Sequence, residues 1–218
     1  MKLVSFALAL SSFLSAVSIN SVHADGVASG EGNKSYGYKE NDPSMYGPSQ
    51  WGTQYPTCAG KRQSPIDIAP SLKGCGVKLP LKFSGSCSEY KLSKLDDAYK
   101  GEVKGGSCSV SANGDSYSML QFHIHAPSEH TLNGKVYDGE AHFVHANPDS
   151  SALLVVGVFL EKMANAKTDP WIASAIKAIG AVNATAPSNI TLGSYSKVLT
   201  GAASEGRTFN YPGSLTTP

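Results

Sequence analysis

Three closely spaced segments constrain the fold of this chain more than any other feature: SYSMLQFHIH (116–125), GEAHFVHAN (139–147) and SALLVVGVFLE (151–161). They are rich in β-branched and aromatic residues, and turn chemistry punctuates them at Asn113-Gly114, Asn133-Gly134 and Asn147-Pro148-Asp149. On a strand, side chains two residues apart share a face, about 7 Å from one another. His123 and His125 therefore point the same way as Gln121, while Ile124 points the other way. On the second segment Glu140 and His142 share a face, and His145 projects to the opposite one. Pairing 116–125 with 139–147 brings His142 opposite the His123/His125 pair. Three neutral imidazoles with an open fourth position have the chemistry of a catalytic zinc site. His130 and His145 lack such convergence and read as structural, hydrogen-bonding within the sheet.

Weaker strand signals lie at QSPIDI, at LPLKFSG, and near 89–95, 99–104 and 107–111. Residues 25 to about 60 are rich in Gly, Pro and Tyr without periodicity and read as an irregular arm. One helix is expected: Asp169 or Thr168 caps it, Pro170 opens it, Ile172, Ile176 and Ile179 form its apolar stripe, and Gly180 ends it. A hydrophobic content of 41% in 218 residues suffices for one domain, 25–218. The net charge of +1, with no run of Lys or Arg, argues against a nucleic-acid partner.

The first 24 residues read as a signal peptide: Lys2, an apolar run from Leu3 to about Val17, then Val22-His23-Ala24 as a cleavage site. That run is too short for a membrane span, and no other segment is a candidate for one. Export would make Cys58, Cys75, Cys87 and Cys108 potential disulfide partners, with three complete pairings open. It would also make the sequons at Asn33, Asn183 and Asn189 potential glycan sites.

Two families compete for the histidine block. His123-x-His125, Glu129 and Gly139-x-x-His142 resemble the cupin signature, in which Glu129 is itself a ligand. The cupin Pro-x-Gly before the last Gly-x-x-His is missing, however, and Asn147 sits one position late. QFHIHAPSEHTLNGKVYDGEAHFVHAN resembles the zinc-binding block of the α-class carbonic anhydrases. CAGKRQSPIDI (58–68) and YPGSLTTP (211–218) are further hallmarks in that family's order, and GPSQW (47–51) after Tyr36-Gly37-Tyr38 resembles its N-terminal arm. A cupin explains none of these outlying segments.

The resemblance implies a mainly β (α+β) fold: a central twisted, mostly antiparallel mixed sheet with a few short helices, here without its C-terminal strands. It implies a secreted zinc enzyme that hydrates CO2 reversibly to bicarbonate through zinc-bound hydroxide, and that binds sulfonamide-type inhibitors. The ligands would be His123, His125 and His142, braced by Gln121 and Glu140. Glu129 would accept a hydrogen bond from Thr216, which orients the hydroxide. Val144, Leu153, Val155 and Leu215 would form the CO2 wall, with Thr217 beside bicarbonate, Tyr38 in the water network, and Tyr211 and His130 as buried partners. The alternative on the same fold is a catalytically weak or inactive binding or matrix protein; such relatives often lack a zinc histidine, and all three are present here.

Two departures from the family follow. Fast members carry a shuttle histidine on a strand before the zinc block, whereas residues 89–111 contain none, so proton transfer is expected to limit turnover. The family also continues past the TTP segment, with a tryptophan in the CO2 pocket, a carbonyl that orients the residue matching His125, and often a cysteine that bonds the one matching Cys58. The chain ends at Pro218 and so reads as C-terminally incomplete. Cys87 and Cys108 are then expected to bond across adjacent strands, with Cys75 unassigned.

Overall fold

A computed structural model describes residues 2–12, 34–69, 81–95, 98–164, 167–182, 186–205 and 208–218. In chain order the first elements are β1 (Lys2–Ser12), β2 (Ser35–Tyr36), β3 (Met45–Tyr46), helix α1 (Pro48–Gln54) and β4 (Asp67–Ile68). Then come β5 (Lys82–Lys94), β6 (Tyr99–Ala112), β7 (Asp115–His125), β8 (Thr131–Leu132), β9 (Gly139–Ala146) and β10 (Ala152–Glu161). Helix α2 (Pro170–Ala181), β11 (Ser188–Thr191), α3 (Ser196–Glu205) and β12 (Thr208–Tyr211) complete the chain. Eight strands form the main sheet in the order β11-β5-β6-β7-β9-β10-β1-β12. Every pairing in it is antiparallel except β1 with β12.

The separate strand signals at LPLKFSG and 89–95 are one strand, β5, and those at 99–104 and 107–111 are one strand, β6. The β5–β6 register shifts between Cys87 and Tyr90, beside Gly105 and Gly106, while Gly85 stays in register opposite Cys108. Gly85 and Gly106 sit at φ +72° and +85°, where a Cβ would lie 2.1 Å from Ser107 O and 2.2 Å from Ser86 O, so only glycine fits. Cys87 and Cys108 join these two strands in a disulfide, as expected, with Cα atoms 5.4 Å apart. Cys58 carries a free thiol, and Cys75 lies outside the described residues.

One face of the sheet carries the main core. Phe122 and Phe143 pack there with Tyr90, Trp171 and Tyr195; Phe122 meets Trp171 edge-on at 4.9 Å, and Phe143 stacks on Tyr195 at 5.4 Å. Burying each such ring stabilises the fold by about 2–3 kcal/mol. Helix α2 starts where the sequence predicts, with Asp169 Oδ1 accepting from the N–H groups of Trp171 (2.8 Å) and Ile172 (3.2 Å). Its buried face differs from the expected stripe. Ile172 is buried and Ile179 packs against the core as expected, but Ile176 is 46% exposed and Trp171 and Ala175 complete the buried face instead. Helices α1 and α3 have no counterpart in the sequence-based reading. The second of them buries Val198, Leu199 and Ala202 at helical spacing.

The apolar run that reads as an export leader forms β1, hydrogen-bonded between β10 and β12. An alternation of Leu, Val, Phe and Ala suits a sheet as well as a leader. Residues 13–24, which include the expected cleavage site, and the sequons at Asn33 and Asn183 lie outside the described residues. Asn189 is exposed on β11, an outer strand of the main sheet.

Candidate metal centre

Strands β7 and β9 run antiparallel with His123 directly opposite His142 and His125 opposite Glu140. A register shift between Met119 and Gln121 decides what faces the site. Tyr117 and Met119 belong to the core cluster, and so does Phe122. The extra residue reverses the alternation, so Gln121, His123 and His125 leave the core face although they share odd parity with Tyr117 and Met119.

The ligand nitrogens of His123, His125 and His142 lie within 4.8 Å of one another. Their neighbours fix which ring atoms face inward. His123 Nδ1–H donates to Gln121 Oε1 (2.9 Å), leaving Nε2 as the lone-pair nitrogen. His142 Nε2–H donates to Glu140 Oε1 (2.8 Å), leaving Nδ1. These two lone pairs then confront each other at 3.0 Å, an arrangement that calls for a cation between them. A tetrahedral zinc with bonds of about 2.0–2.1 Å sets neighbouring ligand nitrogens about 3.3 Å apart, close to what is found. The donor set therefore fits zinc.

Electrostatics agree. Burial, and then the neighbouring His142 and His125, push His123 well below the ordinary histidine value, so it is a neutral donor. Burial opposes charge on His142, but the Glu140 carboxylate beside it raises it, marking a place where positive charge is favoured. Burial also opposes charge on Glu140, yet His142 and His130 hold it far below the usual carboxylate range. Glu140 Oε1 accepts from both imidazoles, and Oε2 accepts from the backbone N–H groups of Glu129 (3.0 Å) and His130 (2.9 Å).

The cluster His130, Glu140 and His142 also brings three potential ligands together. Its nitrogens are already committed to Glu140, and His130 Nε2 accepts from the Tyr211 hydroxyl at 2.6 Å. Burial pushes Tyr211 up to about 12, so it remains a neutral donor, and its oxygen also meets Ser64 Oγ at 2.7 Å. His145 lies on the core face, fully buried, between the Leu154 carbonyl (3.1 Å) and the Tyr195 hydroxyl (2.9 Å).

Above the imidazoles opens a cavity of about 570 Å³. Val144, Leu153, Val155, Leu215, Thr216 and Thr217 all line it. Glu129 is placed differently from the expectation. Its Oε1 accepts from the Tyr38 hydroxyl (2.8 Å), and its Oε2 is buried at 3.4 Å from His125 Nε2 and 3.8 Å from His142 Nδ1. No hydrogen bond joins it to Thr216 among the described residues. Sequence reasoning missed Lys100, Glu102 and Lys104, which line the opposite wall from β6. Their signal is period two on a strand paired with β7, visible only once the register is known.

A mostly antiparallel sheet of this kind, with three imidazoles placed to hold a metal beneath a largely apolar cavity, defines a carbonic anhydrase-like fold. The sequence profile of the eukaryotic-type carbonic anhydrases matches residues 46–218, and the chain belongs to that family. Alpha carbonic anhydrase 2 of Arabidopsis thaliana is 31% identical over 97% of this chain and 85% of its own length. Alpha carbonic anhydrase 8 of the same plant is 33% identical over 79% of this chain, which spans 45% of that relative. Among solved structures, the α-carbonic anhydrase of Thermovibrio ammonificans in complex with the inhibitor sulfanilamide aligns with a TM-score of 0.53 and 32% identity, over 66% of this chain and 61% of that one. Membership in this family removes the cupin alternative.

Proposed function

We propose that this protein is a zinc enzyme for the reversible hydration of CO2 to bicarbonate, held by His123, His125 and His142 and open to sulfonamides. The observation that carries the reading is the pair of lone-pair nitrogens facing each other at 3.0 Å beneath an apolar wall. Zinc bound there supplies a Lewis acid that makes water nucleophilic near neutral pH, a property for which carbonic anhydrase is itself the standard example.

The chain's own residues do the rest. Gln121 and Glu140 fix the ring orientations of His123 and His142, so that Nε2 of the one and Nδ1 of the other converge. Val144, Leu153, Val155 and Leu215 offer an apolar surface suited to a small uncharged substrate. Thr216 and Thr217, at the same cavity, supply hydroxyls for the bicarbonate oxygens. Glu129, tied to Tyr38, is the carboxylate nearest the ligand nitrogens and orients groups at the centre. Export through the leader 1–24 belongs to this reading, and so does a glycan at exposed Asn189. No helix among the described residues is long and apolar enough to cross a membrane.

Metal analysis with a CO2-hydration assay tests the chemistry. One zinc per chain, activity blocked by a sulfonamide, and loss of zinc in His142→Ala are expected; stoichiometric zinc without hydration would make the protein a non-catalytic relative. N-terminal sequencing of material from an exporting host tests the leader. A mature start near Asp25 is expected, and a retained Lys2–Ser12 segment would refute export.

A further inference from the structure

Lys100 and Glu102 share one face of β6, and Lys104, at a register shift of the β5–β6 pair, still reaches Glu102 and the same cavity. Lys100 stands opposite His123 and Glu102 opposite Gln121, which sets the row on the metal-centre side of the sheet. It climbs the cavity wall: the Lys100 side chain is 15% exposed, Glu102 35% and Lys104 51%. Glu102 is shared, with Oε1 3.2 Å from Lys100 Nζ and Oε2 3.5 Å from Lys104 Nζ. Two ammonium groups against one carboxylate leave the row with net positive charge, and each ammonium has three N–H donors. The facing wall is apolar, built from Val144, Leu153, Val155 and Leu215. An uncharged molecule as small as CO2 needs only that apolar wall. A cationic wall a few residues from the centre has a use for a longer ligand with an anionic end.

We propose that Lys100 and Lys104 form an anion-selective subsite on the β6 wall, which favours metal-anchored ligands whose far end carries a carboxylate or sulfonate. This rests on the zinc reading above. The two ammonium groups hold the anionic end, the apolar wall holds the body of the ligand, and Glu102 moderates the field so that the row is weakly rather than strongly positive. Exposed charge pairs of this kind are worth up to about 1 kcal/mol, so the preference is modest, about fivefold, and falls with added salt.

The experiment uses the zinc-loaded protein and two nearly isosteric probes, 4-carboxybenzenesulfonamide and its neutral counterpart 4-carbamoylbenzenesulfonamide, with affinities read by calorimetry at low ionic strength. The readout is how the carboxylate-to-amide affinity ratio changes with each variant, so intrinsic differences between the probes cancel. K100M and K104M are expected to lower the ratio about threefold to fivefold, and E102Q to raise it, with affinity for the amide unchanged as the control for folding. A ratio that moves in neither lysine variant nor in E102Q overturns the subsite. Failure of both probes to bind the unaltered protein instead refutes the metal-site reading, and the subsite with it.

Discussion

Glu140 is where stability and the proposed zinc site meet, and its removal tests that proposal most severely. The carboxylate is fully buried and accepts four hydrogen bonds of 2.8–3.0 Å, from the Glu129 and His130 backbone N–H groups and from the His130 and His142 rings. Glu140→Ala orphans all four donors at once. A buried donor without an acceptor costs about 1–3 kcal/mol, and water entering the vacated space recovers part of this, so the net loss is about 4 kcal/mol. For a domain of this size that lowers Tm by about 10 °C. The loss of the brace on His142 also frees its ring to rotate or switch tautomer, weakening zinc by about 10–100-fold. Glu140→Gln should fall between, since one amide oxygen replaces two carboxylate oxygens and the amide N–H2 confronts donors. Urea unfolding followed by tryptophan fluorescence measures the first quantity, and competition with a chromophoric chelator the second. Stability within about 1 kcal/mol of wild type, together with zinc affinity within about twofold, would refute the account of Glu140 as the common anchor of His130 and His142.

Three further outcomes are expected. Glu129→Ala should retain zinc by metal analysis yet lose CO2 hydration by about 10²-fold; loss of the metal as well would make Glu129 a ligand rather than an orienting group. His145 is held down to about 4 by burial, against a usual value of 6.5, with hydrogen bonds to the Leu154 and Phe143 backbone opposing this. Its folded value is depressed, so the stability it contributes is complete above about pH 6.5 and is lost as pH falls toward 4, amounting to about 3 kcal/mol. His145→Phe should remove that part of the acid sensitivity in unfolding titrations, and identical pH profiles would exclude it. Finally, Lys100, Glu102 and Lys104 rather than a histidine occupy the β6 wall, so turnover should rise with imidazole buffer concentration, and a rate indifferent to buffer would show that proton transfer is not limiting.

Much of the architecture was legible in local pattern. Period two placed β7, β9 and β10, turn dipeptides separated them, and Asp169-Pro170 marked the start of α2. Glycines at positive φ in β5 and β6, and the register shift near Gly105 and Gly106, hid the continuity of these strands, because both read in sequence as breaks. Helix α3 escaped notice because its apolar positions are few and gain their meaning from the core they pack against.

For the site, the sequence by itself determined that His123 and His125 share one face of a strand, and that Glu140 shares a face with His142 while His145 does not. Those statements depend only on the alternation of side chains along extended chain. Tertiary structure alone decided the rest. The shift at Met119/Gln121 let one strand feed the core with Tyr117 and Met119 and the metal centre with His123 and His125, although all four share parity. The pairing of β6 with β7 carried Lys100 and Glu102 to the cavity, and the fold brought Tyr38 to Glu129 and Tyr211 to His130 across long stretches of chain. Parity is a local property of the backbone, whereas register, bulges and long-range hydrogen bonds depend on which distant partner a strand or side chain meets.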